Sequence, residues 1–172
     1  MKKLIKIGPV LLAIVLFTSC KWLFPPVIPT LPPETQTGEH TFGCYIDGEL
    51  FVKNNQPRFW GSWLEALYVS IDDDILPKGI EIKCEGINGK TICMFFDKTV
   101  TDSNIVINKV SYAGITNYNV SYVYLTRLDT IKAIISGRFE FELNDSINNK
   151  KIKFTEGRFD IRNVSVINNW SY

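Results

Sequence analysis

Side chains that could perform catalysis are few and widely spaced in this chain of 172 residues. It contains one histidine, His40, and four cysteines: Cys20, Cys44, Cys84 and Cys93. Nucleophilic catalysis needs a nucleophile beside a base, and the sequence holds no GxSxG, HExxH or phosphate-loop motif. The cysteines lack the CxxC spacing and the histidine neighbours of zinc sites. We therefore predict no catalytic residue, no metal site and no cofactor.

Aromatic side chains are better candidates for binding a ligand. Exposed tyrosine and tryptophan rings suit stacking on sugars or on another apolar ligand. The candidates are Trp60, Trp63, Tyr122 and Tyr124, with Tyr118 on the same strand face as the two tyrosines. Because aromatic residues are usually buried, we expect most of these rings to belong to the core or to cover its edge.

A short segment occurs twice, 20 residues apart. Residues 135–140 read ISGRFE and residues 155–160 read TEGRFD. On a strand, each arginine shares a face with the acid two positions later, while the phenylalanine points to the other face. Arg138 and Arg158 therefore either form a charged patch for an anionic or sugar ligand, or make cross-strand ion pairs outside a core that contains the phenylalanines. We expect the second arrangement.

Two dipeptides predict hairpins and bear on the cysteines. Asp47-Gly48 and Asn88-Gly89 are both typical of two-residue type I′ turns. A two-residue loop at Asn88-Gly89 would place Cys84 opposite Cys93, with Cα atoms about 4.5 Å apart, at the short end of the disulfide range of roughly 4.4–6.8 Å. A Cys84–Cys93 disulfide and two free buried thiols both remain open. Cys44 is either a small buried hydrophobe or a partner for one of them.

The body of the chain reads as strands. From residue 41 onward, β-branched and aromatic runs alternate with turn residues, and no window shows a clean helical pattern. The predicted strands cover residues 41–46, 49–53, 66–71, 80–85, 90–96, 105–112, 118–126, 131–143 and 151–162. This pattern predicts an all-β fold, a single antiparallel β-sandwich or β-barrel-like domain of about nine strands.

The first 19 residues have the layout of a secretory signal. Lys2, Lys3 and Lys6 precede an unbroken apolar run over residues 10–17, about half the length of roughly 20 residues that a membrane-spanning helix needs. Residues 17–20 (FTSC) are similar to a bacterial lipobox, in which Cys20 would be acylated, for example with palmitate, and would begin the mature chain. Ordinary signal cleavage, with Cys20 left as a thiol, is the alternative.

Removing this segment changes the charge balance. It contains three lysines and no acid, so the remainder has 16 basic and 18 acidic side chains and a net charge of −2 rather than +1. Nucleic-acid binding calls for a basic face, and we expect none here.

A proline-rich stretch separates the predicted anchor from the body. Residues 20–38 hold five of the eight prolines, and proline favours extended, polyproline-like chain. We therefore divide the chain into a signal peptide (1–19), a lipidated cysteine with an extended tether (20–38) and an all-β domain (39–172).

Motifs at both ends of the body resemble a known family. Residues 31–38 (LPPETQTG), residues 41–44 (TFGC) with Asp47-Gly48, and residues 156–160 (EGRFD) resemble small Bacteroidetes outer-membrane lipoproteins of unknown function. The resemblance implies an outer-membrane lipoprotein and brings no activity. In this phylum, the resemblance implies that lipoproteins exported to the cell surface carry acidic residues after the lipidated cysteine. Cys20 is followed by Lys21-Trp22, which provides none, so we expect a body that faces the periplasm.

These observations favour a lipid-anchored module that binds a ligand or another envelope component. Its expected partners are the membrane, through the anchor, and a glycan or other small ligand. A hydrolase acting on envelope or imported polymer and a purely structural envelope component are the alternatives. Convergent carboxylates in a cleft would favour the hydrolase, and an aromatic-lined groove would favour binding.

Overall fold

The computed structural model describes residues 28–55, 67–72, 79–97, 104–129, 131–162 and 165–167. They form ten strands: β1 (Thr41–Ile46), β2 (Glu49–Val52), β3 (Leu67–Asp72), β4 (Gly79–Glu85), β5 (Thr91–Asp97), β6 (Asn104–Tyr112), β7 (Ile115–Asp129), β8 (Ile134–Asp145), β9 (Lys150–Arg162) and β10 (Ser165–Ile167). Helices are absent from the described residues, so none of them could span a membrane as a helix. The all-β prediction is confirmed.

All ten strands belong to one sheet in the order β10-β3-β4-β5-β6-β7-β8-β9-β1-β2. Every ladder is antiparallel except that between β10 and β3. The sheet curls into a half-barrel. At one end, the chain after β2 meets the β4–β5 turn, where the Asn54 amide donates to the Glu85 carbonyl at 2.8 Å and the Ile87 amide to the Val52 carbonyl at 3.1 Å. The curl therefore brings the end of β2, at one edge of the sheet, back to the end of β4 near the other edge.

The concave side of the curled sheet holds the core. Strand β8 shows why, because its residues alternate between buried and exposed from Gly137 onward, as a strand with one solvated face should. Phe139, Phe141 and Leu143 point inward. Phe141 stacks on Phe154 of β9 with ring centroids 4.5 Å apart. Each buried ring of this kind stabilises the fold by about 2–3 kcal/mol through the water it sheds.

The Asp47-Gly48 hairpin is confirmed. Ile46 pairs with Glu49, and the two turn residues have φ angles of +50° and +85°. Positive φ at both positions is the requirement of a type I′ turn. Aspartate tolerates this conformation and glycine meets no steric cost in it.

The Asn88-Gly89 hairpin has a longer loop than predicted. The Gly86 amide donates to the Lys90 carbonyl at 2.9 Å, which leaves three residues in the loop. Gly89 has a φ of +73°, whereas Asn88 has no positive φ. This is the pattern of a type I turn followed by a left-handed glycine, and it shifts the strand register by one residue.

Of the two alternatives for Cys84 and Cys93, the disulfide is therefore not formed. Cys84 lies opposite Ile92, and Cys93 lies opposite Lys83. Because a shift of one residue turns a side chain to the other face, Cys84 is buried in the core while Cys93 is half-buried on the outer side. Both are free thiols, as is the buried Cys44. Burial raises the pKa of the Cys44 thiol to about 12.

The repeated GRF segments pack on each other across β8 and β9. Gly137 lies opposite Phe159, and Phe139 lies opposite Gly157. A Cβ atom at Gly157 would lie 2.4 Å from the Phe139 ring, and one at Gly137 would lie 2.7 Å from the Phe159 ring. Each phenylalanine therefore covers the glycine of the other copy. The prediction that both rings point inward is confirmed, because each is only 2% exposed.

Candidate ligand-binding cleft

Residues 31–39, here called the strap, run across the outer face of the sheet before β1 begins. At Gly43 a Cβ atom would lie 2.6 Å from Cδ of Pro32, so the strap lies directly on the backbone of β1. Gly38 is buried. The predicted boundary between tether and domain at residue 38 is therefore corrected: residues 31–38 belong to the folded body. Proline content alone indicates extended chain and cannot tell a free segment from a docked one.

The carboxylate of Asp160 holds the strap. Asp160 lies on β9, only 1% exposed, and accepts hydrogen bonds of 2.6 Å from the hydroxyls of both Ser136 and Thr35. Three backbone amides of the strap also donate to it at 2.9–3.0 Å, those of Thr37, Gly38 and Glu39. Burial acts to raise the pKa of Asp160, but the hydrogen bonds from Ser136, Thr35 and the strap outweigh it and hold the pKa below its usual range.

Three arginines add contacts between the sheet and the strap. Arg158 donates to the Pro32 carbonyl at 3.4 Å, and Arg127 donates to the Gln36 carbonyl. Arg138 lies 3.7 Å from the carboxylate of Glu34. The strap is thus fastened at several points to β7, β8 and β9.

The outward side chains of β7, β8 and β9 form a cross-strand row. Tyr124 pairs with Arg138, and Arg138 pairs with Arg158. The Arg138 guanidinium lies over the Tyr124 ring, 5.3 Å from its centroid, which is a cation–π contact. The expected cross-strand ion pairs between the two repeats are not formed, because the register places the arginines opposite each other. Arg158 instead pairs with Glu156 of its own strand at 3.3 Å.

The tyrosines of β7 are exposed, which corrects the expectation that they are buried. The exposed fractions are 69% for Tyr118, 60% for Tyr122 and 41% for Tyr124. All three lie on the convex side of the sheet, because their strand neighbours in the core, such as Val123, point into the half-barrel. The strand parity was read correctly, but parity does not say which face is covered.

A cleft of about 510 Å³ lies where the cross-strand row of Tyr124, Arg138 and Arg158 meets the strap. Tyr122, Tyr124, Arg138 and Arg158, all candidate ligand-binding residues, line it together. The other polar lining residues are Asn104, Glu34, Glu140 and Glu156. The cleft therefore combines two aromatic rings, two guanidinium groups and three carboxylates.

The glutamates of the cleft are exposed to water. The exposed side-chain fractions of Glu34 and Glu156 are 50% and 59%. A general acid at neutral pH usually needs a carboxyl group removed from water, and these two side chains are at least half exposed. Among the described residues, His, Cys, Asp and Glu side chains form no group of three or more that could hold a metal ion.

Three predicted residues lie outside the described part of the chain, and two residues of the cleft were not predicted from the sequence. Trp60, Trp63 and Cys20 lie outside the described residues. Sequence reasoning missed Glu34, because the strap was taken for a free tether, and Asn104, which is opposite Tyr124. Strand parity correctly placed Glu140 on the same face as Arg138.

A comparison with protein-family models, with curated proteins and with solved structures found no match for this chain.

Proposed function

We propose that this protein is a lipid-anchored ligand-binding module of the bacterial cell envelope. The observation that carries the proposal is the cleft, in which the exposed rings of Tyr122 and Tyr124 lie together with the Arg138 guanidinium, which covers one face of the Tyr124 ring. Exposed aromatic residues next to a few convergent polar groups are typical of binding sites. The proposed anchor is acylated Cys20, which would place the body on the outer membrane, facing the periplasm.

The contacts that position Arg138 in the cleft support binding rather than a purely structural role. Its floor consists of paired strands, and Arg138 is held by Tyr124 on one side and by Glu34 on the other. A site whose side chains are already ordered loses little entropy when a ligand arrives.

A thermal-shift screen tests this proposal. The full chain is purified in a detergent without a sugar head group and screened against glycans, lipids and metal ions. We expect at least one class to raise the unfolding temperature of the wild-type chain, since ligand binding stabilises the folded state. The same ligands should leave the unfolding temperature of the double variant Tyr122→Ala/Arg138→Ala unchanged. Equal shifts in both proteins, or no shift in either, would contradict the proposal.

For the anchor, we expect Cys20→Ser to abolish incorporation of a labelled fatty acid in cells.

A further inference from the structure

We infer that the ligand of the cleft is a neutral, extended oligosaccharide that lies along β7. The inference rests on the proposed binding function and adds the chemical class of the ligand. Three properties of the outer face carry it: the row of tyrosines, the charge of the cleft and the donors and acceptors at its floor.

The exposed tyrosines of β7 continue beyond the cleft, because Tyr118 is not among the residues that line it. Tyr122 and Tyr124 are two positions apart on one strand face, and Tyr118 continues the row beyond a bulge in the β6–β7 register. At 3.3–3.4 Å per residue the row covers about 17–20 Å. Val106, opposite Tyr122 and 38% exposed, widens the apolar surface. Flat rings in a row match an extended ligand with repeated apolar faces, and the C–H faces of sugar rings are such surfaces.

The charges of the cleft argue for a neutral ligand. Two arginines face three glutamates, so the formal charge of the cleft is negative by one unit. Glu34 and Glu156 already pair with Arg138 and Arg158. A polymer of uronic acids, a phosphate or a nucleic acid would meet the excess carboxylate and would have to displace an existing ion pair.

The polar groups of the floor suit hydroxyl groups. Guanidinium groups offer several donors in a plane, carboxylates offer acceptors, and the Asn104 amide offers both. One carboxylate oxygen of Glu140 accepts a hydrogen bond from the Glu156 amide at 3.3 Å, and the other adds acceptor capacity to the cleft, which Glu140 lines together with Tyr122. A sugar ring presents both donors and acceptors around an apolar face, and this mixed set of groups complements it without any net charge on the ligand.

Isothermal titration calorimetry with the full chain tests the inference. The probes are neutral hexasaccharides of β-1,4-linked glucose, β-1,4-linked mannose and α-1,4-linked glucose, the matching disaccharides, an oligogalacturonate and an unrelated extended hexapeptide. We expect at least one neutral hexasaccharide to bind at least about tenfold more tightly than its disaccharide. Tyr122→Ala and Tyr124→Ala should each weaken that binding about tenfold, the loss expected for a fully used stacking contact.

Conservative and distant variants serve as controls. Tyr122→Phe keeps the ring and should keep most of the affinity, while Ile147→Ala removes a side chain that is 88% exposed in the β8–β9 turn and should change nothing. Tyr118→Ala should weaken binding of the hexasaccharide and leave the disaccharide unaffected.

The outcomes separate the inference from the function on which it rests. Binding of the oligogalacturonate or the peptide in place of neutral sugars, with the same loss in Tyr122→Ala, would overturn the inference and leave the binding function standing. Binding of no probe would also overturn the inference, and a negative thermal-shift screen would then remove the binding function too. Hexasaccharide binding that is equal in wild type and in both alanine variants would overturn both for this cleft.

Discussion

Residues 137–140 and 157–160 carry the same Gly-Arg-Phe-acid pattern on neighbouring strands, yet their acidic residues have different surroundings. Glu140 is exposed at the edge of the cleft, whereas Asp160 is buried beneath the strap and accepts hydrogen bonds from two hydroxyls and three amides. The strap makes this difference, since it crosses the sheet at the level of Asp160. The acid of one copy holds the strap, whereas the acid of the other copy lies exposed in the lining of the cleft.

The largest expected effect on stability comes from removing the carboxylate of Asp160, which holds the strap. We expect Asp160→Ala to lower the free energy of unfolding by about 3 kcal/mol, because buried donors lose a charged acceptor. Glu140→Ala should change it by less than about 0.5 kcal/mol, as is usual for exposed residues. Urea unfolding of the full chain measures both. Equal effects of the two substitutions would show that the copies are not distinguished in the way the structure indicates.

A smaller effect tests what the two copies share, the packing of phenylalanine over glycine. We expect Gly157→Ala to cost about 1–3 kcal/mol, because the new methyl group overlaps the Phe139 ring and the ring must move. In a Phe139→Ala background the same change should cost much less. A double-mutant cycle measured by urea unfolding gives this coupling. A cycle without coupling would mean that the close approach is relieved at no cost.

The smallest effect concerns pH. Because the folded pKa of Asp160 lies below its ordinary value of 3.8, its stabilisation is fully present above that ordinary value and is lost as the pH falls through the folded pKa. Asp160→Asn removes this titration. We therefore expect wild type to exceed the variant in stability by about 1–2 kcal/mol at neutral pH, since charged hydrogen bonds are the stronger ones.

The measurement is a series of urea unfolding curves for both proteins from neutral pH to below about pH 3. The gap between the two proteins should close as the pH falls. Other carboxylates with lowered pKa values, those of Asp129, Glu142 and Asp145, are present in both proteins and cancel in the difference. A gap that stays constant with pH would mean that the pKa of Asp160 is the same in the folded and unfolded states, and a gap that widens as the pH falls would mean that folding raises this pKa.

The motifs at the two ends of the body are in contact in the folded chain. The strap comes from residues 31–39, and its main acceptor, Asp160, closes the motif at residues 156–160. Their side chains are more than 100 positions apart in sequence, and the pairing of β1 with β9 brings them together. This contact explains the residue types at both ends by packing and hydrogen bonding. The cleft then lies beside the fastening, with Glu34 shared by both.

Local sequence determined what depends on a few neighbouring residues. Alternation of apolar and polar residues gave the strands and turned both phenylalanines inward, and Asp47-Gly48 specified a tight turn because both residues tolerate positive φ. The Asn88-Gly89 turn shows the limit, since the same kind of dipeptide also fits a longer loop, and one residue of register reversed the face of Cys93.

Tertiary structure decided everything that depends on distant pairing. Which face of the curled sheet is covered, where the strap docks, and which arginine lies opposite which tyrosine follow from the register of β7, β8 and β9 and from the closure of the half-barrel. The physical reason is that a strand's alternation defines two faces equally well. The rest of the chain then determines which face is buried in the core and which remains open to a ligand.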